Sequence, residues 1–184
     1  MKFFLHFNLL WVPILMSCNT SQNESAASGT SPALSSLISE IERMEEKSKG
    51  DSALSRPEAL RLLNIYQDRY NINPSDSAAI AGLFEAARIA DGLGKFEKAI
   101  ELLGTYHDVS LNPEKRAESA FLVAFIYDAH LKDAKKATDY YNKVIQLYPA
   151  SVWAEQAKDA LHMVGKSDEE LMEFLEQKSQ QKPL

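Results

Sequence analysis

The feature that most constrains the fold is a helical period that runs almost without interruption from Pro32 onward. Apolar residues recur three and four positions apart, and the alternating β-branched stretches that would indicate strands are almost absent. Three prolines, Pro74, Pro113 and Pro149, each follow a helix-like run, at intervals of 39 and 36 residues. An interval of this size predicts helix pairs that stack in a row, because one pair alone cannot bury its apolar faces.

Two central segments align on their small and aromatic residues. The aligned positions are Ala87, Leu93, Gly94, Phe96, Ala99 and Leu103 in the first, and Ala124, Tyr127, Leu131, Ala134, Ala137, Tyr141 and Pro149 in the second. This pattern resembles the tetratricopeptide repeat. The resemblance implies an all-α chain, a right-handed solenoid of about four antiparallel helix pairs. Ala87 and Ala124 would be the small residues that allow close packing on the first helix of each pair, and Ala99 and Ala137 those on the second helix.

The second central unit departs from the first at its turn. It has one additional residue between Tyr127 and Leu131, and Lys132 stands where the first unit has Gly94. The register at this turn is therefore left open by the sequence.

Weaker units flank the central pair. An amphipathic helix is predicted over 31–49 and another from Pro57, and downstream we expect a helix after Pro149 and a shorter one near Ser167. Residues 33–178 would then hold the repeat domain, with a polar tail at 179–184. End units that depart from the consensus are typical of the capping repeats of such arrays.

The first residues resemble a lipoprotein signal peptide, over 1–17. Phe3 to Met16 is a largely apolar run of 14 residues, shorter than the roughly 20 that span a bilayer as a helix. Leu15, Ser17 and Cys18 then fit the bacterial lipobox, which implies that Cys18 carries diacylglycerol and an acyl chain such as palmitate. Residues 18–32 would be the lipidated cysteine and a flexible Ser/Thr-rich tether. A signal anchor or an ordinary cleaved signal, with Cys18 a bystander, is the alternative.

Lipobox, tether and short repeat array together resemble small envelope lipoproteins of Bacteroidetes-type bacteria. The resemblance implies a non-enzymatic scaffold or adaptor that presents a repeat surface for protein–protein interaction. A more distant similarity to periplasmic repeat proteins suggests an alternative, an accessory factor in outer-membrane protein assembly or envelope biogenesis. Asn19 rather than Asp follows the cysteine, which favours the outer membrane, and we expect the domain to face the periplasm. Exposure to the medium remains the other orientation.

The net charge and the lack of recognisable motifs argue against several functional classes of protein. The net charge of −6 argues against a nucleic-acid partner. One cysteine and four scattered histidines (6, 107, 130 and 162) form no recognisable metal motif. We find no catalytic or phosphate-binding motif, so no cofactor and no small-molecule substrate are expected. An enzyme with an unrecognised site is the competing interpretation.

The resemblance also implies a candidate partner-binding groove on the first helices of successive units. Carried over position by position, it would contain Phe84, Arg88, Asp91, Glu118, Phe121, Phe125 and Asp128. An aromatic floor edged by Arg and Asp would suit a peptide or a helix. The alternative is that Phe121 and Phe125 belong to the core.

Two short patterns have two interpretations each. Asp51-Ser52-Ala53 and Asp76-Ser77-Ala78 match the acceptor pattern of an O-glycosylation system known in Bacteroidetes, which would modify Ser52 and Ser77. Asp76 followed by Ser77 is equally suited to capping a helix start.

Replacing the lone cysteine tests the predicted anchor. We expect Cys18→Ser to lose incorporation of a labelled fatty acid and to leave the membrane fraction, because serine cannot form the thioether. Ser17→Ala keeps a small residue before the cysteine and should retain the label. Fatty-acid labelling that persists in Cys18→Ser would contradict lipidation at this residue.

Overall fold

A computed structural model describes residues 31–49 and 53–167, together with 169, 170, 172, 173 and 176. Within this part of the chain every regular element is a helix, and there is no strand, which confirms the all-α prediction. The predicted signal peptide, Cys18, Ser52 and the tail at 179–184 lie outside the described residues.

The described residues form seven α-helices in succession, with a π-helical turn after the fifth. They are α1 (Pro32–Lys49), α2 (Arg56–Ile72), α3 (Ser77–Gly92), α4 (Phe96–Val109), α5 (Pro113–Phe125), the π turn (Ile126–His130), α6 (Ala134–Leu147) and α7 (Val152–Leu161). Each helix packs against the next in sequence, and α5 also contacts α7. Beyond α7, Ser167 accepts a hydrogen bond from the Glu170 backbone N–H at 3.2 Å, which fits the predicted start of a short helix there.

Short polar side chains cap the first turns of α3, α5 and α7. The Asp76 carboxylate accepts hydrogen bonds from the backbone N–H groups of the first turn of α3. Asn112 does the same for α5, where Pro113 follows at the first helical position, and Ser151 caps α7. These side chains satisfy backbone donors that have no partner inside the helix. Asp76 therefore has the capping role that the sequence offered as one of its two interpretations.

Alanine is the residue at which the helices approach each other. Ala87 and Ala124 are 1% and 0% exposed, and Ala99 and Ala137 are completely buried. Larger side chains fill the space around them in two clusters. One contains residues from each of the helices α1 through α5 and from the π turn, and the other contains residues from α5, α6 and α7. The four alanines predicted at the close contacts thus lie in the core, where small side chains permit close packing of neighbouring helices.

The π turn accounts for the additional residue of the second central unit. The Leu131 N–H donates to the Ile126 carbonyl, five residues earlier, at 3.0 Å. A π turn holds one more residue than an α-helical turn, so the insertion is absorbed inside the helix. Lys132 then adopts φ 54°, close to the 73° of Gly94, so both units make a left-handed turn although only one has glycine there.

Replacing each of two helical glycines with alanine should change the stability of the fold in opposite directions. A Cβ at Gly82 would lie 2.7 Å from Cδ1 of the buried Tyr66 ring, whereas one at Gly104 would meet nothing within 4 Å. We expect Gly104→Ala to stabilise the fold by about 0.5–1 kcal/mol through helix propensity. Gly82→Ala should destabilise it by about 1–2 kcal/mol, because the clash outweighs that gain. Urea unfolding followed by circular dichroism measures both, and a stabilised Gly82→Ala would contradict the close approach of α2 and α3.

Candidate functional site

An open groove lies between α3 and α5, which both pack on α4. Its volume is about 700 Å³. Helix α3 lines one wall with Phe84, Arg88 and Asp91, α5 lines the other with Lys115, Glu118 and Phe125, and Leu103 and Tyr106 of α4 form part of the floor. The groove therefore combines an apolar floor with charged side chains on both walls.

Aromatic rings form the apolar part of the groove. The rings of Phe84 and Tyr106 lie 5.2 Å apart at a tilt of 53°, within the distance range of favourable aromatic pairs. Phe84 is only 9% exposed, whereas Phe125 is 42% exposed. Phe84 is thus anchored in the core, and Phe125 is the aromatic side chain that an incoming molecule can cover.

Most of the charged groups of the groove are already paired within it. The Arg88 guanidinium lies 3.2 Å from the Glu85 carboxylate, and the Lys115 ammonium lies 2.7 Å from that of Glu118. The hydrogen bond from Lys115 to Glu118 raises the pKa of the lysine above its ordinary value. The ammonium also sits 5.4 Å from the centre of the Phe84 ring, within cation–π range. These pairs fix charges of both signs along the groove without leaving it strongly charged.

Asp91 is the exception among these charged side chains. It contacts His130, whose Nε2 lies 3.5 Å from Oδ1, and this buried oxygen accepts no hydrogen bond. The His130 ring stacks on Phe96 at 4.4 Å and meets the edge of Phe125 at 6.0 Å. The π turn thus places an imidazole between the carboxylate of α3 and the exposed ring of α5.

Five of the seven residues expected in the groove line this cleft: Phe84, Arg88, Asp91, Glu118 and Phe125. Phe121 lies outside the lining and packs against the rings of Tyr141 and Trp153, at 5.4 and 5.2 Å. Asp128 lies outside it too, beside Tyr141, where partial burial raises its pKa above the ordinary value.

The phase of α5 explains which side chains face the groove. Its lining residues are Lys115, Glu118, Leu122 and Phe125, a stripe with the alternating spacing of one helical face. Phe121 lies at the edge of this stripe, about 40° around the helix from Phe125, on the side that packs against α6 and α7. Asp128 follows the point where the π turn changes the phase. Sequence reasoning missed Lys115, although it lies one turn before Glu118 and could have been found by extending the stripe backward.

Comparisons with known proteins add no family. No protein-family model matches the chain, and no curated protein is significantly similar to it. Among the described residues, no helix has both the length and the hydropathy needed to cross a bilayer, and no group of three or more His, Cys, Asp or Glu residues is placed to hold a metal ion.

Replacing each of the two phenylalanines of α5 with alanine should lower the free energy of unfolding by different amounts. We expect Phe121→Ala to lower the free energy of unfolding by about 2–3 kcal/mol, because it leaves a gap between Tyr141 and Trp153. Phe125→Ala should cost about 1 kcal/mol or less, because much of that ring already faces water. Urea unfolding measures both, and equal or reversed costs would show that the two rings are assigned to the wrong surfaces.

Proposed function

We propose that the chain is a lipid-anchored, tetratricopeptide-like protein that presents the groove between α3 and α5 to a protein partner in the bacterial cell envelope, as a scaffold or adaptor without catalytic activity. The observation that carries the proposal is the groove itself. A partly exposed aromatic ring lies between two walls of paired charges, an arrangement that can bury an apolar side chain and orient the segment that bears it.

A hydrogen bond between two distant helix ends supports a repeat-like arrangement of the helices. The Tyr148 hydroxyl lies 2.8 Å from His107 Nε2, so the C-terminal ends of α4 and α6 are neighbours. The second helices of the two central units thus end at the same edge, as stacked helix pairs require. Their first helices, α3 and α5, form the two walls of the groove, and this is the surface on which a repeat array receives a partner.

The form of the groove favours a helix or peptide over a compact ligand. It is an open cleft between two helices, and its charged side chains lie on both walls rather than converging on one point. An amphipathic segment laid along it would cover Phe125 while its polar side chains meet the charged walls. The predicted lipid on Cys18 would hold this groove close to partners in the membrane and reduce the volume in which they must be found.

Photo-crosslinking in intact cells tests the proposed contact. A photoreactive amino acid in place of Arg88, which is 65% exposed on the groove wall, should give a discrete adduct with one envelope protein. The same group in place of Lys135, 86% exposed on α6, serves as the matched control, because Lys135 is also an ion-paired cation but does not line the groove.

We expect the adduct from position 88 to disappear when Phe125→Ala is added, because the partner would lose its main apolar contact. The control position should give no such adduct. If positions 88 and 135 give the same products, or if the adduct from position 88 survives Phe125→Ala unchanged, the groove is not the binding surface.

A further inference from the structure

We propose that the partner of this groove presents a cationic side chain, an arginine, to Asp91, beside the exposed ring of Phe125. The inference rests on the proposed function, since it names the chemistry of the segment that the groove receives. Three features of the structure lead to this side chain, and the first is the pairing of charges among the groove residues.

The first feature is the pairing of the groove charges. Each groove cation already has a carboxylate of its own, since Arg88 pairs with Glu85 and Lys115 with Glu118. Asp91 has only the contact to His130 at 3.5 Å, a distance beyond an ordinary hydrogen bond. A partner carboxylate would share a cation that already has a carboxylate, whereas a partner cation finds at Asp91 a carboxylate that no Arg or Lys of the described residues already pairs.

The second feature is the place of Asp91 in α3, which ends at Gly92. A carboxylate in the last helical turn is opposed by the negative end of the helix dipole. Its Oδ1 atom is buried and unsatisfied, although 36% of the side chain is exposed. A cation in the groove would neutralise the charge at the helix end and donate to the exposed part of the carboxylate.

A local cation already lies near this helix end but serves another group. The Arg56 Nη2 atom donates to the Leu93 carbonyl at 3.2 Å, and this interaction satisfies part of the exposed backbone after α3. It leaves Oδ1 of Asp91 without a hydrogen bond. Because 36% of the Asp91 side chain is exposed, the rest of the carboxylate is accessible to a donor from outside the chain.

The third feature is the aromatic surface beside the carboxylate, which selects arginine over lysine. Both Asp91 and the Phe125 ring contact His130, the ring at a centroid distance of 6.0 Å and an angle of 90°. A planar guanidinium can stack on the exposed Phe125 ring and donate to the exposed part of the Asp91 carboxylate. An ammonium group lacks the flat face that stacking on the ring requires.

Selection from a display library of random linear peptides on the full-length chain tests the inference. We expect the enriched peptides to share an arginine close to an apolar residue. In fluorescence anisotropy with synthetic copies, replacing that arginine with citrulline should weaken binding about tenfold, and lysine should give an intermediate loss.

Variants of the chain show whether that arginine meets Asp91. Asp91→Asn should weaken the arginine peptide about as much as citrulline does, and citrulline should then cause little further loss, because both changes remove one interaction. The control is Asp108→Asn, which removes an 80% exposed carboxylate that also contacts a histidine, His107 at 3.0 Å, but lies outside the groove. It should leave binding unchanged.

The outcomes separate the inference from the proposed function. Enriched peptides that lack a basic residue but lose binding on Phe125→Ala would overturn the arginine site and leave the groove as the binding surface. The arginine site alone is also overturned if citrulline costs as much on Asp91→Asn as on the unaltered chain. If no peptide is enriched, or if those enriched bind Phe125→Ala equally well, both the arginine site and the groove are overturned.

Discussion

The close approach of neighbouring helices at buried alanines is the constraint on which the rest of the structure depends. Ala86, Ala90, Ala99 and Ala117 have no exposed surface, so each helix lies against the next with almost no side chain between them at these points. Larger residues there would push the helices apart and change the width of the groove between α3 and α5. The positions of Phe84 and Phe125 on its surface therefore follow from residues that never touch a partner.

The period of the apolar residues was enough to predict the helices and the small residues at their crossings. It was not enough to predict which residues face the groove beyond the middle of α5. An additional residue before Lys132 was visible in the sequence, but a π turn, a bulged loop and a shifted helix all absorb one residue, and the apolar pattern favours none of them. The choice depends on packing against α6, which is why Asp128 was expected in the groove and lies beside Tyr141 instead.

Phe121 illustrates the same limit in a different way. A large aromatic residue on an amphipathic helix suits a binding surface and a core equally well, and only its neighbours decide. Tyr141 and Trp153, which enclose it, come from helices that follow much later in the chain. Arg88 and Asp91 were easier to place, because charged residues on the polar edge of α3 had few other surfaces to occupy.

Three buried side-chain atoms of the described residues lack a hydrogen bond, Nε of Arg69, Nε of Arg116 and Oδ1 of Asp91, and of these side chains only Asp91 lines the groove. Ion pairs on exposed helix faces, such as Lys135 with Asp139, are local and contribute little to stability. Asp91 instead holds a buried oxygen without a hydrogen bond next to an exposed ring, a combination that costs free energy in the isolated chain. Such a cost is understandable if a partner offsets it, and this links the packing of the helices to the proposed role of the groove.

The most direct test of a partner-filled groove is the reactivity of a thiol placed in it, compared between intact envelopes and the purified chain. Arg88→Cys and Lys135→Cys supply the groove position and a control position on α6, and modification by a water-soluble maleimide is read at each site by peptide mass spectrometry. We predict that the groove thiol reacts much more slowly in envelopes than in the purified chain, while the control thiol reacts equally in both. Equal reactivity of the groove thiol in the two preparations would contradict the proposed role of the groove.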